Sequence, residues 1–373
     1  MKLTKKVFAI IISAALALSM AACSSKPEIA ATNGNFSVPV GVYTYYAYYT
    51  YRGLAQNGQI DPTKSLKSQT IAEKPAIEYI NEAALDNLRY MIQLEEEYTK
   101  ALAAASTEEQ KAILEITDAQ KNILALENDD STSATNGASL AGTQYAQEKD
   151  FYEKNGVAKD SIVLASLDGG LAGFKQQKLF EYNYGANGVT PVTDEELKAY
   201  YASNYVYFSY ISVPTENTSS ETAATEEENA AIKTAALAEM NTLKADLQSG
   251  KKNLTTVVEE YAAKGTGYSA LEKQSVPVSQ GSELLTQIAA LKDNEYAVLE
   301  NSGSAYLVVK HAAAESKYLD NEDNKANMIS DLKIGDFQQK ILDDAKASKT
   351  IVIDHKVLAK FGVEKLKITG QAK

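Results

Sequence analysis

The sequence predicts an α+β protein: a mainly helical body built from N- and C-terminal segments, with an α/β segment inserted between them. Three observations predict this class. Apolar residues recur at helical spacing through 71–104, and helical sequence returns after the insertion up to about residue 347. Between these regions, residues 205–213 alternate, with Val206, Phe208, Tyr210 and Ser212 on one face and Tyr207, Ser209, Ile211 and Val213 on the other. Two further extended runs, 296–300 and 305–310, are joined through Asn301-Ser302-Gly303 and read as a closing pair of strands.

The chain opens with Lys2, Lys5 and Lys6, then an apolar run from Val7 to Met20, then Met20-Ala21-Ala22-Cys23. A membrane span needs about 20 apolar residues, so this shorter run reads as a secretory signal covering residues 1–22. Cys23 is the sole cysteine of the chain and follows two small residues. The arrangement resembles the bacterial lipobox, in which that cysteine is acylated and becomes the new N-terminus. It places the mature protein on the extracytoplasmic face of a membrane, held by lipid at Cys23. Each buried methylene is worth about 0.8 kcal/mol, and two or more chains anchor stably where one is marginal.

Residues 23–35 carry Ser, Lys, Pro and Asn-Gly with little to bury, and read as a flexible tether. A helical region is expected over 36–192. It starts with Tyr43, Tyr45, Tyr46, Tyr48, Tyr49 and Tyr51, whose spacings of three and four fit a helix with a broad aromatic face. In 71–104 the stripe is Ile77, Ile80, Ala84, Leu88, Met91, Ile92 and Leu94, with Pro75 in the first turn or at a break. Thr107 is placed to cap a helix running to about residue 126, and 128–142 is polar and small enough to be a loop. Residues 145–184 read as helical with breaks at Asn155-Gly156 and Gly169-Gly170.

The inserted segment is expected over 193–312. Thr193 with Glu196 three residues on forms a capping box for a short helix to about residue 204. After the strand at 205–213, residues 215–228 are acidic and polar, and read as a loop. Helices follow at 229–247, ended by Ser249-Gly250, at 254–263 and at 283–291, with 264–282 read as loop. Residues 313–373 form the C-terminal segment: helix to about 347, an extended stretch at 350–353, and a short last helix. This segment is expected to pack on the N-terminal body.

Composition narrows the function. Removing residues 1–22 takes three lysines and moves the formal charge from −12 to −15. So acidic a chain argues against nucleic-acid binding, which needs Lys/Arg clusters facing phosphates. Two histidines and one cysteine give little material for a zinc site or a Cys/His nucleophile pair, so no metal and no cofactor are expected. No P-loop, dinucleotide fingerprint or nucleophile elbow is present.

The order strand, long helix, short helix, loop, helix, two strands resembles that of a parvulin-type prolyl isomerase domain. Residues 193–201 (TDEELKAYY) resemble the helix leading into that domain in the PrsA foldase and SurA chaperone family, and 208–213 resemble its first strand. Gly250 to Tyr261 resembles the family's G-x-x-F-x-x-x-A helix, and 291–298 with 305–310 its closing hairpin. Residues 31–46 resemble the V-N-G-x-x-I opening of the family's helical N-terminal domain, and the lipobox fits the PrsA side.

The resemblance implies a chaperone lobe made of the N- and C-terminal segments and an inserted parvulin-like domain. It also implies a small pocket with two histidines, and here the sequence departs from the family. The first-strand histidine position reads Tyr210. The closing-strand position reads Leu307, or Tyr306 if the register slips by one. The family's Gly-Gly motif with its acidic partner is not recognisable in 264–282. His311 lies a few residues late and reads as capping a strand end; His355 lies in the C-terminal segment.

The implied function is therefore an anchored extracytoplasmic chaperone or foldase that binds unfolded, newly exported polypeptides and leans away from catalysis. Tyr45, Tyr48, Tyr49 and Tyr210 are its candidate client-binding residues, with the alternative that the tyrosine run is core. Other readings are an active isomerase that works without its histidines, a solute-binding lipoprotein, and a structural envelope protein. The solute-binding fold would need repeated βαβ units, which this chain lacks.

Overall fold

The computed structural model describes residues 28–34, 36–117, 120, 145–166, 171–217 and 224–368. The signal segment, Cys23, the stretch 128–142 and Gly169-Gly170 lie outside the described residues. The fold is α+β, mainly helical, with small antiparallel sheets. It divides into two compact units: residues up to Pro191 with those from Ile334 onward, and Val192–Lys333.

In the first unit, β1 (Ile29–Asn33) pairs antiparallel with β2 (Phe36–Pro39), and Ala30 and Ala31 are completely buried. The second half of the expected tether is therefore a strand. Its small side chains fit a packed position, and its second partner, residues 351–353, lies far downstream. Helix α1 (Val40–Gln56) follows, and buries Val42, Tyr43, Tyr46, Ala47, Tyr51 and Leu54. A Cβ on Gly41 would collide with Ser161, so the glycine lets α1 approach its neighbour closely.

β3 (Thr70–Ile71) and β4 (Lys74–Pro75) form a minimal hairpin, turning through Ala72 and Glu73 at positive φ. The long helix therefore starts after Pro75, as α2 (Ala76–Ala104), and not at residue 71. Its expected stripe is inward: Ile80, Ala84, Leu88, Met91, Ile92 and Leu94 are buried and Ile77 is half-buried. Each such aliphatic side chain contributes roughly 1.5–3 kcal/mol on burial.

Thr107 caps α3 (Glu108–Leu114) through a full capping box with Gln110. That helix ends at Leu114, short of the expected 126, and residues 121–126 lie outside the described residues. α4 (Lys149–Lys154), α5 (Lys159–Ser166) and α6 (Leu171–Tyr184) follow, with the break at Asn155-Gly156 made by Gly156 at φ +72°.

The second unit begins with α7 (Asp194–Asn204), whose Thr193–Glu196 capping box is present in both directions. β5 (Tyr205–Pro214) is followed by α8 (Glu226–Gln248), capped by a second box, Thr225 with Glu228. Next come α9 (Leu254–Ala262), β6 (Ser269–Pro277), α10 (Glu283–Ala289), β7 (Tyr296–Asn301) and β8 (Ser304–Lys310). The β7–β8 turn runs through Ser302 and Gly303 at φ +46° and +74°, matching the twist a two-residue hairpin needs.

The sheet order is β6-β5-β8-β7, antiparallel throughout. β6 corrects the reading of 264–282 as loop. The sheet has two apolar faces, as the alternation in β5 predicts. Val206, Phe208 and Val308 pack with Leu285 and Ile288 of α10. Ile211, Val213, Ala305 and Leu307 pack with Met240 and Leu243 of α8 and Val257 and Val258 of α9.

Helix α11 (Glu322–Ala347) holds the boundary between the units, at Lys333–Ile334, where the expected boundary was 312. Its Met328 packs with Leu197, Tyr201 and Tyr207 of the second unit. Its Phe337 and Ile341 pack with Leu94, Tyr98 and Leu179 of the first. β9 (Ile351–Ile353) then pairs with β1, which makes β1 the central strand of the sheet β2-β1-β9, and α12 (His355–Leu358) ends this return.

Candidate functional site

Tyr210 and Tyr306 stand on one face of the four-stranded sheet. Tyr210 pairs with Val308 on β8 and Leu271 on β6, while Tyr306 pairs with Leu299 on β7, so all five share a face. The two tyrosine rings lie 5.9 Å apart, and the Phe208 ring is 6.1 Å from Tyr210. α10 covers the Val206–Phe208 end of this face. Beyond it Tyr210, Tyr306 and Leu299 are half-buried and Leu271 is 46% exposed, a high value for leucine. The result is an aromatic and aliphatic shelf with hydroxyls at its margin; the Tyr210 hydroxyl is 3.0 Å from Ser269 Oγ.

This geometry separates the two registers for the closing strand. Leu307 points to the opposite face, where it is 2% exposed among Met240, Leu243 and Val257. It cannot line a site with Tyr210, and Tyr306 takes that place. Tyr210 and Tyr306 each bring one hydroxyl, where an imidazole would bring two ring nitrogens. What the shelf offers is a flat apolar seat for a proline ring or another apolar side chain, and phenolic O–H groups for peptide carbonyls.

On the other face, His311 follows directly after β8 (Ser304–Lys310). Its Nε2 lies 2.7 Å from the hydroxyl of Ser209, which is fully buried, and the backbone N–H of Lys273 donates to that same hydroxyl at 2.9 Å. Lys273 sits at φ +56° in a bulge where β6 carries one residue more than β5. Ser209 thus satisfies an N–H that the bulge takes out of the ladder. Burial holds the His311 pKa below its ordinary value; Glu315 opposes this, Lys273 adds to it and Glu272 opposes it. The neighbouring cleft of about 590 Å³ is lined by Tyr207, Ser275, Glu315, Ser316 and Tyr318 among others. Ser209 is too buried to serve as a nucleophile, so the pair fixes structure. His311 is bound into the sheet through its ring as well as by its backbone N–H, which donates to the Tyr207 carbonyl at 2.7 Å.

The tyrosine run of α1 divides. Tyr45 is buried, which removes it from the client-binding candidates: its ring packs 6.4 Å from Tyr152 and 4.6 Å from Tyr49. Tyr48 is half-buried and stacks on Phe151 at 3.7 Å. Tyr49 is 39% exposed and is the one member of the three with substantial surface. Burial raises the Tyr43 hydroxyl to a pKa of about 12, as expected for a core phenol.

Among the described residues, no helix is long and apolar enough to cross a membrane, and no group of three or more His, Cys, Asp or Glu could hold a metal ion. No protein-family model matches the chain, and no curated protein matches its sequence.

Proposed function

We propose that this protein is a membrane-anchored, extracytoplasmic chaperone of the PrsA/SurA-like kind. In this reading its second unit is a parvulin-type scaffold that binds unfolded segments of exported chains and has lost the catalytic histidines. The observation that carries the reading is the partly open shelf of Tyr210, Tyr306 and Leu299, half-buried beside α10, with exposed Leu271, a seat for apolar side chains on a face that holds neither histidine. Exposed apolar surface of this kind marks interaction sites. The acidic exterior keeps a client complex soluble, and a lipid anchor at Cys23 raises the local concentration at the membrane.

The test measures suppression of aggregation of a chemically unfolded client, alongside prolyl isomerisation, for wild type, Tyr210→Ala and Leu271→Ser. Suppression that weakens in both variants, with isomerisation at background, is the expected result. Catalysis that disappears in Tyr210→Ala would replace this reading by an active isomerase. No suppression by wild type would defeat the chaperone reading. The anchor is tested separately: Cys23→Ala should abolish incorporation of labelled palmitate and membrane fractionation.

A further inference from the structure

The C-terminal return is net positive in an acidic chain. From Lys349 to Ile368 it carries five lysines against Asp354 and Glu364, a formal charge of +3 in a protein whose mature form carries −15. Both carboxylates are engaged. Asp354 accepts the N–H groups of Lys356 and Val357 at 3.0 Å, and Glu364 accepts from Asn81 Nδ2 at 3.1 Å. Lys349, Lys356, Lys365 and Lys367 are exposed and form no ion pair with another described residue. Val352 of β9, on the same stretch, is 60% exposed, while Ile351 and Ile353 on either side pack against the core of the first unit.

Exposed lysines are ordinary on any surface. What sets these apart is their distance from the anchor. β9 runs antiparallel to β1, the Asp354 N–H donates to the Ala30 carbonyl at 2.9 Å, and Lys360 Nζ lies 2.8 Å from Glu28 Oε1. The return therefore leaves β9 at the end of β1 where the tether enters, with Lys356 in α12 and Lys360 four residues on. Glu28 is five residues from Cys23, and five residues span at most about 18 Å when fully extended. A lipid on Cys23 holds the membrane surface within that distance of Glu28, whatever path the chain takes. Lys26 adds a positive charge within the tether itself. The potential of an anionic leaflet decays over a Debye length, about 8 Å at physiological salt, so only groups brought this near respond to it.

We propose that the C-terminal return docks through Lys356, Lys360, Lys365 and Lys367 on anionic phospholipid headgroups of the membrane that holds Cys23, with Val352 as an apolar contact at its edge. The proposal rests on the anchored reading and deepens it: the lipid at Cys23 fixes the distance, and the lysines fix the orientation. The acidic remainder of the chain is repelled by the same surface and faces away from it.

The experiment uses the mature chain, residues 23–373, coupled through Cys23, its sole thiol, to a maleimide lipid, which sets the anchor without acylation in a cell. The vesicles are phosphatidylcholine alone, or phosphatidylcholine with one third phosphatidylglycerol. Lysines are footprinted with an acetylating reagent and read by mass spectrometry. On anionic vesicles at low salt, Lys356, Lys365 and Lys367 should be modified at least fivefold more slowly than on neutral vesicles. The difference should vanish in about 0.5 M salt, where the Debye length is a few ångströms. Lys198 and Lys252, exposed in the second unit, should differ less than twofold between the vesicles. In the double variant Lys356→Glu/Lys365→Glu the slowing at Lys367 should be lost, with thermal melts to verify that the variant is folded. Equal rates on the two vesicles would overturn the proposal. So would equal slowing at Lys198 and Lys252, or slowing at Lys367 unchanged in the variant. Palmitate labelling of Cys23 in cells without this footprint would overturn the docking and leave the anchor standing. A footprint on the coupled chain without palmitate labelling in cells would instead remove the anchored reading, and the proposal with it.

Discussion

Ser209 Oγ lies 2.7 Å from His311 Nε2 and at the same time accepts the Lys273 N–H. With His311 neutral and its proton on Nδ1, the Ser209 hydroxyl has an acceptor in Nε2. Protonation would turn Nε2 into a donor and leave the buried Ser209 proton without an acceptor. The folded-state pKa of His311 is accordingly depressed, chiefly by burial. A depressed pKa means that the unfolded chain binds the proton more readily. The stability this site contributes is therefore present above the ordinary histidine value of about 6.5 and is lost as pH falls through the folded-state pKa. We expect the melting temperature of wild type to fall more between pH 7 and pH 5 than that of His311→Gln. Parallel falls in the two proteins would show that this contact is not linked to pH.

Tyr306 and Leu307 are neighbours with opposite duties, and substitution should separate them. Leu307→Ala removes a buried side chain from between the sheet and α8, and should cost about 2–5 kcal/mol in urea unfolding. Tyr306→Ala removes a half-buried ring from the shelf. It should cost clearly less stability while weakening client binding as Tyr210→Ala does. If Leu307→Ala impaired binding at unchanged stability, the register drawn from the β5–β8 pairing would be wrong.

This pair also shows how far the sequence could be read. One step of strand register turns every side chain to the other face. Sequence alone left Tyr306 and Leu307 open, and only the pairing of Ser212 with Tyr306 and Ile211 with Leu307 decides between them. β5 was legible because its aromatic and β-branched residues alternate over ten positions. β6 was not. Its SALEKQSVP sequence is polar and charged, it lies at the sheet edge, and its bulge at Lys273 breaks the period. β1 was missed because IAATN carries no strong pattern and its partner β9 lies more than 300 residues later. The α1 tyrosines announced a helix. Which of them are buried depends on α4, and no local spacing reports that.

Helix caps give a test that needs no tertiary argument. Thr193 and Thr225 each accept from the backbone N–H of a glutamate three residues on, and each glutamate carboxylate reaches back to the threonine N–H. The hydrogen bonds from threonine hold the pKa of Glu196 and Glu228 below the usual carboxylate value. Thr193→Ala and Thr225→Ala should each cost about 1 kcal/mol in denaturant unfolding. A combined loss near the sum is expected, because the two caps serve different helices with no shared partner.

Gly41 carries the close approach of α1 to Ser161 of α5, where an added Cβ would overlap both side-chain atoms of a buried serine. Gly41→Ala should destabilise by about 1–3 kcal/mol despite alanine's better helix propensity. Gly53 lies in the same helix with nothing within 4 Å of its missing Cβ, so Gly53→Ala should stabilise, by up to about 1 kcal/mol. Opposite signs in one helix are the expected outcome, read as midpoint shifts in urea. Two shifts of the same sign would show that the contact with Ser161 does not govern Gly41.

Lys175 is a buried cation, paired with Glu95 and with its ammonium 5.4 Å from the centre of the Tyr98 ring. Burial, and then the charge of Glu95, push the Tyr98 hydroxyl to a pKa of about 12, so that phenol stays neutral and cannot replace the carboxylate as partner. Taking one member away leaves the other desolvated without its countercharge. Removing one partner of a buried pair costs about 3–5 kcal/mol, and the partial exposure of Glu95 puts Lys175→Ala toward the lower end of that range. Replacing both, as Lys175→Met with Glu95→Leu, removes charge and partner together and fills similar volume. The double variant should therefore unfold at higher urea than Lys175→Ala, even though it carries one substitution more. A double variant weaker than the single one would mean that the pair contributes net stability beyond its own desolvation.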